Sequence, residues 1–289
     1  MKQTCKPTKK YVCCCLFFFE NIFYVSLKKK DMKTNALFII LLFCSFLITA
    51  QTDSTSSDSI ASFEVELTSR YVWRGQDIGG NVPYVHPYIE LSIGSEKHNA
   101  IFSVWGAYAL GKSKDEELTF LASYVYDELF EFTISDYFLY DGSPAGYDLF
   151  NFSEDETPHV FEAMFGFLGT DKFPISLHFA MMFYGNDARK IQSDGSEGGI
   201  LYSKYIELAY EMEKGSSNMK FFLGIAPDKV NEDRGEETFY ATTKPGVVNV
   251  GVEFLREMKI SSVYSCDLKV SLITNPVEKS AFLIAAIVF

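Results

Sequence analysis

The sequence predicts an all-β chain, a transmembrane antiparallel up-and-down β-barrel of twelve strands over residues 61–289. Three observations predict it. Segments of roughly ten to fourteen residues alternate apolar and polar positions, which is the pattern of strands with lipid on one side and water on the other. The connections between them alternate long and short. The last segment, SAFLIAAIVF, alternates down to an aromatic, Phe289.

The first fifty positions belong to targeting rather than to this fold. Lys28, Lys29, Lys30 and Lys33 precede the apolar run ALFIILLFCSFL, and Ile48, Thr49 and Ala50 lead to a small-residue cleavage site before Gln51. Residues 32–50 therefore read as a signal peptide starting at Met32, and residues 1–31 as an upstream extension. A membrane anchor is the other reading of the earlier run, but Glu20 and Asn21 interrupt it and leave too few apolar residues to span a bilayer. Residues 51–60, QTDSTSSDSI, are polar and of low complexity and read as a disordered leader.

Without positions 1–50, which hold 8 of the 26 Lys plus Arg and 2 of the 38 Asp plus Glu, the chain carries 18 cations against 36 acids, a net of −18. Such a surface repels phosphate backbones, so no nucleic-acid partner is expected. Five of the six cysteines also lie in that segment and leave Cys266, which excludes an intrachain disulfide framework and a cysteine zinc site.

The twelve strands are predicted at 61–75, 82–95, 98–111, 116–126, 129–140, 158–169, 173–186, 200–213, 218–227, 246–257, 264–275 and 279–289. In the first, Phe63, Val65, Leu67, Tyr71 and Trp73 oppose Glu64, Glu66, Thr68, Arg70 and Arg74. Tyr71 and Trp73 then fall where an interfacial aromatic girdle belongs. In the second, Val85, Ile89, Leu91 and Ile93 oppose Tyr84, His86, Tyr88, Glu90 and Ser92. In the eighth, Ile206, Leu208, Tyr210 and Met212 oppose Ser203, Tyr205, Glu207 and Glu211. A soluble sandwich also alternates, so connection lengths carry the choice. Outer loops are expected near 76–81, 112–115, 141–157, 187–199, 228–245 and 276–278, with tight turns between them. The turn around KISSVYS fits least well. An even strand count returns both ends to the same side.

Three features run against the pattern. Pro87 removes a ladder hydrogen bond inside the second strand. Glu162 sits in the otherwise apolar FEAMFGF, and the phase around Val248, Val250 and Val252 is ambiguous.

The stretch FEVELTSRYVWRGQDIGGNVPYVHPYIELSIG, followed by VWGAY, resembles the start of the TorF-type porin family of outer-membrane barrels. The resemblance centres on Tyr71, Val72, Trp73, Arg74 and Gly75, matching an aromatic, Val, aromatic, Arg, Gly run before an outer loop. The family pattern has an acid where this chain has Arg70, so the family supplies no pairing for that position. The resemblance implies a barrel in the bacterial outer membrane and suggests a pore.

The polar faces make Glu64, Glu66, Arg70, Arg74, Glu90, Glu207 and Glu211 candidates to line the lumen. Two readings follow: a narrow pore for small solutes or ions whose charges set ion preference, or salt-bridge networks that plug the interior. Phe289 reads as the assembly signal for the outer-membrane insertion machinery, with outer-membrane lipid as the other partner. Ser176 and His178, two apart on one strand, are the one handle for an alternative lipid hydrolase, which needs an orienting acid and an oxyanion site. His86, His98 and His159 lack metal-ligand spacing. The acidic runs KDEE (114–117), SEDE (153–156) and NEDRGEE (231–237) lack the spacing of a calcium loop and read as solvated surface or partner-binding loops. No enzyme activity, cofactor or metal is expected.

Overall fold

The computed structural model describes residues 58–111, 115–140, 148–153, 156–261 and 264–289. The predicted upstream extension and signal peptide, and all but the end of the predicted leader, lie outside these residues. The strands, in chain order, are β1 (Asp58–Thr68), β2 (Val72–Trp73), β3 (Gln76–Asp77), β4 (Tyr84–Gly94), β5 (His98–Ala109), β6 (Glu116–Tyr126), β7 (Phe130–Tyr140), β8 (His159–Phe167), β9 (Ile175–Gly185), β10 (Arg189–Ile191), β11 (Glu197–Ile200), β12 (Lys204–Lys214), β13 (Ser217–Ala226), β14 (Gly246–Lys259), β15 (Ser265–Asn275) and β16 (Ser280–Val288). Twelve of them close into one antiparallel barrel, in the order β1-β16-β15-β14-β13-β12-β9-β8-β7-β6-β5-β4. The other four form two small hairpins, β2-β3 and β10-β11, inside the connections at one end.

The period-2 alternation decides what faces where. Phe63, Ile89, Phe102, Phe132, Phe165, Leu208, Leu223, Leu272 and Leu283 all point away from the barrel axis and are exposed. Their neighbours on the other face are Glu66, His86, Ser103, Thr133, Ala209 and Ser271, which are buried or half-buried. Apolar outside and polar inside is the reverse of a soluble barrel. A closed barrel has no edge, so such an exterior can meet hydrocarbon without leaving backbone groups unpaired. Tyr124, Tyr126 and Phe173 are exposed at the short-turn end, and Tyr108 and Tyr202 at the long-loop end, as interfacial girdles require.

Closure rests on a short seam. β1 pairs with β16 through Glu66, Leu67 and Thr68 opposite Val288, Ile287 and Ala286. Val65 and Phe289 exchange two backbone hydrogen bonds, and the Ser69 amide donates to the Ala285 carbonyl. Leu283 and Phe289 face outward while Phe282 and Ile284 are buried inside, so the terminal strand has apolar residues on both faces.

The structure moves two predicted boundaries. The segment read as leader up to residue 60 is already strand from Asp58, and the first barrel strand stops at Thr68 rather than running to 75. Tyr71 and Trp73 are consequently not girdle residues: the chain turns inward after Thr68, and Tyr71 is 4% exposed inside the barrel.

The features that ran against the pattern have local explanations. Pro87 stays opposite Val65 on one side, while pairing to β5 skips from Val85–Tyr108 to Tyr88–Trp105. The missing amide therefore costs the ladder on one edge alone. The ambiguous phase in β14 is a bulge: Gly224 pairs with Asn249 and Ile225 with Val247, so Val248 is the extra residue and is fully buried. Glu162 flanks another register shift, between β8 and β9, and faces the interior.

Candidate functional site: the constricted interior

The β2-β3 hairpin brings the site together. Its two-residue turn is Arg74–Gly75, with φ of 48° and 82°. Positive φ at both central residues is the turn geometry that continues the twist of a hairpin. Arginine is an uncommon choice there, since a side chain in the left-handed region costs about 1–2 kcal/mol. Gly75 is obligatory by contact: a Cβ at this position falls 2.0 Å from the Val248 carbonyl oxygen. The hairpin tip thus rests on the β14 bulge, and the Asn275 side-chain amide donates to the Gly75 carbonyl at 3.3 Å.

This placement drives Arg74 into the lumen. Its guanidinium meets Glu162 in a fork, Nη1 to Oε2 at 2.5 Å and Nη2 to Oε1 at 2.9 Å, and donates to the Tyr240 hydroxyl at 2.7 Å. The rings of Trp73 and Tyr205 each lie 4.5 Å from its Cζ. Tyr137 donates its hydroxyl to Glu162 at 3.0 Å. Glu162 is 1% exposed and the Arg74 side chain 13%, so the pair is largely withdrawn from water, and each charge is stabilised by the other and by its hydroxyl partner.

A second loop closes over the hairpin. Tyr240 stacks on Trp73 (5.9 Å between centroids, 17°) and on Tyr205 (5.4 Å, 28°). Gln76 donates through its side-chain amide to the Phe239 carbonyl at 2.9 Å, and the Phe239 amide donates to Ser203 Oγ at 3.0 Å. Val160, Met182, Tyr205, Tyr240 and Val248 form a buried apolar cluster here, with Trp73, Tyr137 and Phe239 packed against it. The long-loop end of the barrel is thereby constricted by one charged pair wrapped in aromatic rings.

Two cavities flank the constriction. The one toward the long loops has a volume of about 430 Å³ and is lined by Tyr71, Trp73, Glu117, Tyr137 and Phe239 among others. The one on the other side, about 220 Å³, is lined by Arg74, Glu90, Glu131, Thr133 and Glu162. Tyr137 lines both.

The residues singled out in the sequence are placed as follows. Glu66 bonds to Lys269 and lies 3.3 Å from His86 Nδ1. Glu90 accepts from the Tyr88 hydroxyl on its own strand. Glu207 accepts from the Tyr205 hydroxyl at 2.6 Å and lies 4.0 Å from Lys220 Nζ, while Glu211 lies 3.5 Å from the same ammonium. Glu64 shares the inward face of β1 but is exposed toward the short-turn mouth. Arg70 does not reach the interior wall opposite. It stays with its own loop, 2.8 Å from Asn81 and 3.5 Å from Asp77, with its Cζ 5.3 Å from the Phe282 ring.

Sequence reasoning missed Glu162 as the partner of Arg74, the aromatic cage of Tyr137, Tyr205 and Tyr240, and Lys220 and Lys269 as the lumen cations. An acid in an apolar strand signalled Glu162; nothing local signalled Tyr240, which lies in an irregular loop. Ser176 and His178 both face the interior on β9, yet no hydrogen bond joins them. Opposite His178, Glu207 is engaged by Tyr205. His159, on the outward face, is covered by loop residues, with Nδ1 2.7 Å from Asp136 and Nε2 3.0 Å from the Leu149 carbonyl. Among the described residues no group of three His, Cys, Asp or Glu is arranged to hold a metal.

The acidic run 231–237 is a clasp between two loops. Glu232–Arg234 form one 3-10 turn, and the Glu236 carboxylate accepts from the Asn231 amide at 2.8 Å and the Ile191 amide at 3.0 Å. These two donors hold its pKa below the ordinary carboxylate value. A depressed folded pKa contributes stability at pH values above the unfolded pKa, and that contribution is lost as pH falls through the folded pKa. The Asn231 and Ile191 amide shifts are therefore expected to titrate together at a pH below the usual glutamate midpoint. Titration at or above that midpoint in an NMR series defeats the clasp.

No known family's sequence profile matches the chain, and no curated protein matches it significantly. Among solved structures it is similar to an outer membrane channel from Pseudomonas putida, at 8% identity over 83% of this chain and 97% of that one, with a TM-score of 0.40. It is also similar to the translocator domain of an autotransporter from Neisseria meningitidis, at 9% identity over 89% and 96%, with a TM-score of 0.31.

Proposed function

We propose that the chain is a barrel of the bacterial outer membrane that conducts small solutes or ions, with a preference for cations. One observation carries the reading. The inward faces of β1, β4, β7, β12 and β14 present Glu64, Glu66, Glu90, Glu131, Glu207, Glu211 and Glu253, against Lys220 and Lys269 from β13 and β15. Fixed carboxylates in a low-dielectric tube raise the local concentration of cations and repel anions. The apolar exterior, the exposed tyrosines at both ends and strands mostly of nine to twelve residues support the membrane setting. The Arg74–Glu162 constriction makes the open path narrow, so small permeants are favoured.

The test is a planar bilayer separating two KCl concentrations. Discrete conductance steps and a reversal potential displaced toward the potassium limit are expected. Baseline current from barrels shown to be folded, or displacement toward the chloride limit, overturns the proposal.

A further inference from the structure

We propose that the cavity above the constriction is a binding site for a small organic ammonium ion. The proposal rests on the reading of the long-loop end as the outer mouth of a channel, and it specifies a ligand for that mouth.

The cavity, about 430 Å³, falls within the size range of small-molecule sites. Its wall includes Glu117, which projects inward from β6 and is 6% exposed. Both carboxylate oxygens accept from neutral donors, Oε2 from the Tyr71 hydroxyl at 2.7 Å and Oε1 from the Thr119 hydroxyl at 2.6 Å. Unlike Glu162 and Glu66, Glu117 has no arginine or lysine beside it, and none lines the cavity, among the described residues. Burial makes its ionised form costly, and a cation entering the cavity relieves that cost.

The walls decide which cation. Tyr71, Trp73, Tyr137 and Phe239 line the cavity, with Glu156 at its rim. A bare metal ion gains from oxygen ligands and loses from aromatic walls, and no group of metal-ligating side chains is assembled among the described residues. An alkylammonium ion gains from both parts, with its charge toward carboxylate and aromatic rings and its methyl or methylene groups against the apolar wall. Its desolvation cost is also lower than that of a metal ion. The constriction lies directly below, with Trp73 and Tyr137 common to the cavity lining and the cage around Arg74 and Glu162.

The experiment titrates the folded full chain in detergent micelles with choline and with its neutral isostere, 3,3-dimethylbutan-1-ol, by calorimetry. Choline is expected to bind at least about tenfold more tightly than the isostere, and Glu117→Gln to remove most of that preference. Equal binding of the two, or a preference that survives Glu117→Gln, overturns the site. The wild-type comparison needs no variant, so it decides even where Glu117→Gln fails to fold. Potassium conductance without choline preference overturns the site and leaves the channel standing; choline preference in a folded barrel without conductance does the reverse.

Discussion

Glu162→Gln is expected to destabilise the constriction by about 3–5 kcal/mol, because it leaves the Arg74 guanidinium buried without its counter-charge. Glutamine keeps the volume and one acceptor, so packing around Trp73 and Tyr205 is little changed and charge is what is removed. The hairpin is held in the lumen by this fork, the Tyr240 hydroxyl, the Gln76 contact and the Gly75 seat. With the fork lost, the hairpin spends more time withdrawn and single-channel conductance rises. Replacing both partners, Arg74→Leu with Glu162→Met, is expected to recover much of the stability, since an apolar pair of similar volume removes both desolvation penalties. Urea unfolding in lipid vesicles and conductance of the single and double variants give the coupling between the two positions. Additive effects, or a Glu162→Gln barrel with wild-type conductance, show that the pair does not hold the hairpin.

Gly75→Ala is expected to expel the hairpin by contact. The added Cβ lands 2.0 Å from the Val248 carbonyl oxygen, with φ at +82°, so backbone must move. Overpacking of this kind typically costs about 1–3 kcal/mol, and the unfavourable φ adds about 1 kcal/mol more. Gly80, in the same connection with φ +65° and nothing within 4 Å of a Cβ, isolates the backbone term. The expected signature is Trp73 leaving its cage: red-shifted emission and stronger acrylamide quenching in Gly75→Ala, with Gly80→Ala close to wild type. The chain has 2 tryptophans, so a Trp105→Phe background assigns the change to Trp73. Equal quenching in the two glycine variants defeats the seat.

These effects depend on a segment whose placement the sequence concealed. From Phe63 to Trp73 the apolar residues keep period 2, so a strand continuing to residue 75 is the natural reading, and an aromatic pair at its end fits a lipid interface. The reading fails because alternation records which residues share a face and not whether that face is still on the wall. What ends the strand is a turn at Arg74–Gly75 that is stable when Val248 seats the glycine and Glu162 receives the arginine. Those partners lie 173 and 88 positions away. Glu162 itself was visible as an acid out of place, and the misplacement marked the site. Glu64, Glu66, Glu90, Glu207 and Glu211 were legible because their strands alternate cleanly. Lys220 meets Glu207 and Glu211 from the neighbouring strand β13 and follows from register, whereas Lys269 reaches Glu66 from β15, across β16.

What the sequence determined by itself is the barrel: twelve strands, the inside and outside of those that alternate cleanly, and the end that carries the long loops. Those properties follow from the period-2 backbone and from connection lengths, both local along the chain. The tertiary structure alone decided the state of the interior, because a residue at a fixed height in a closed barrel faces partners from strands and loops remote in sequence. Phe289 and Leu283 could be assigned to the exterior from their alternation. That Tyr71, Trp73 and Arg74 fill the lumen depended on Glu162, Val248 and Tyr240 arriving at the same height from three other parts of the chain.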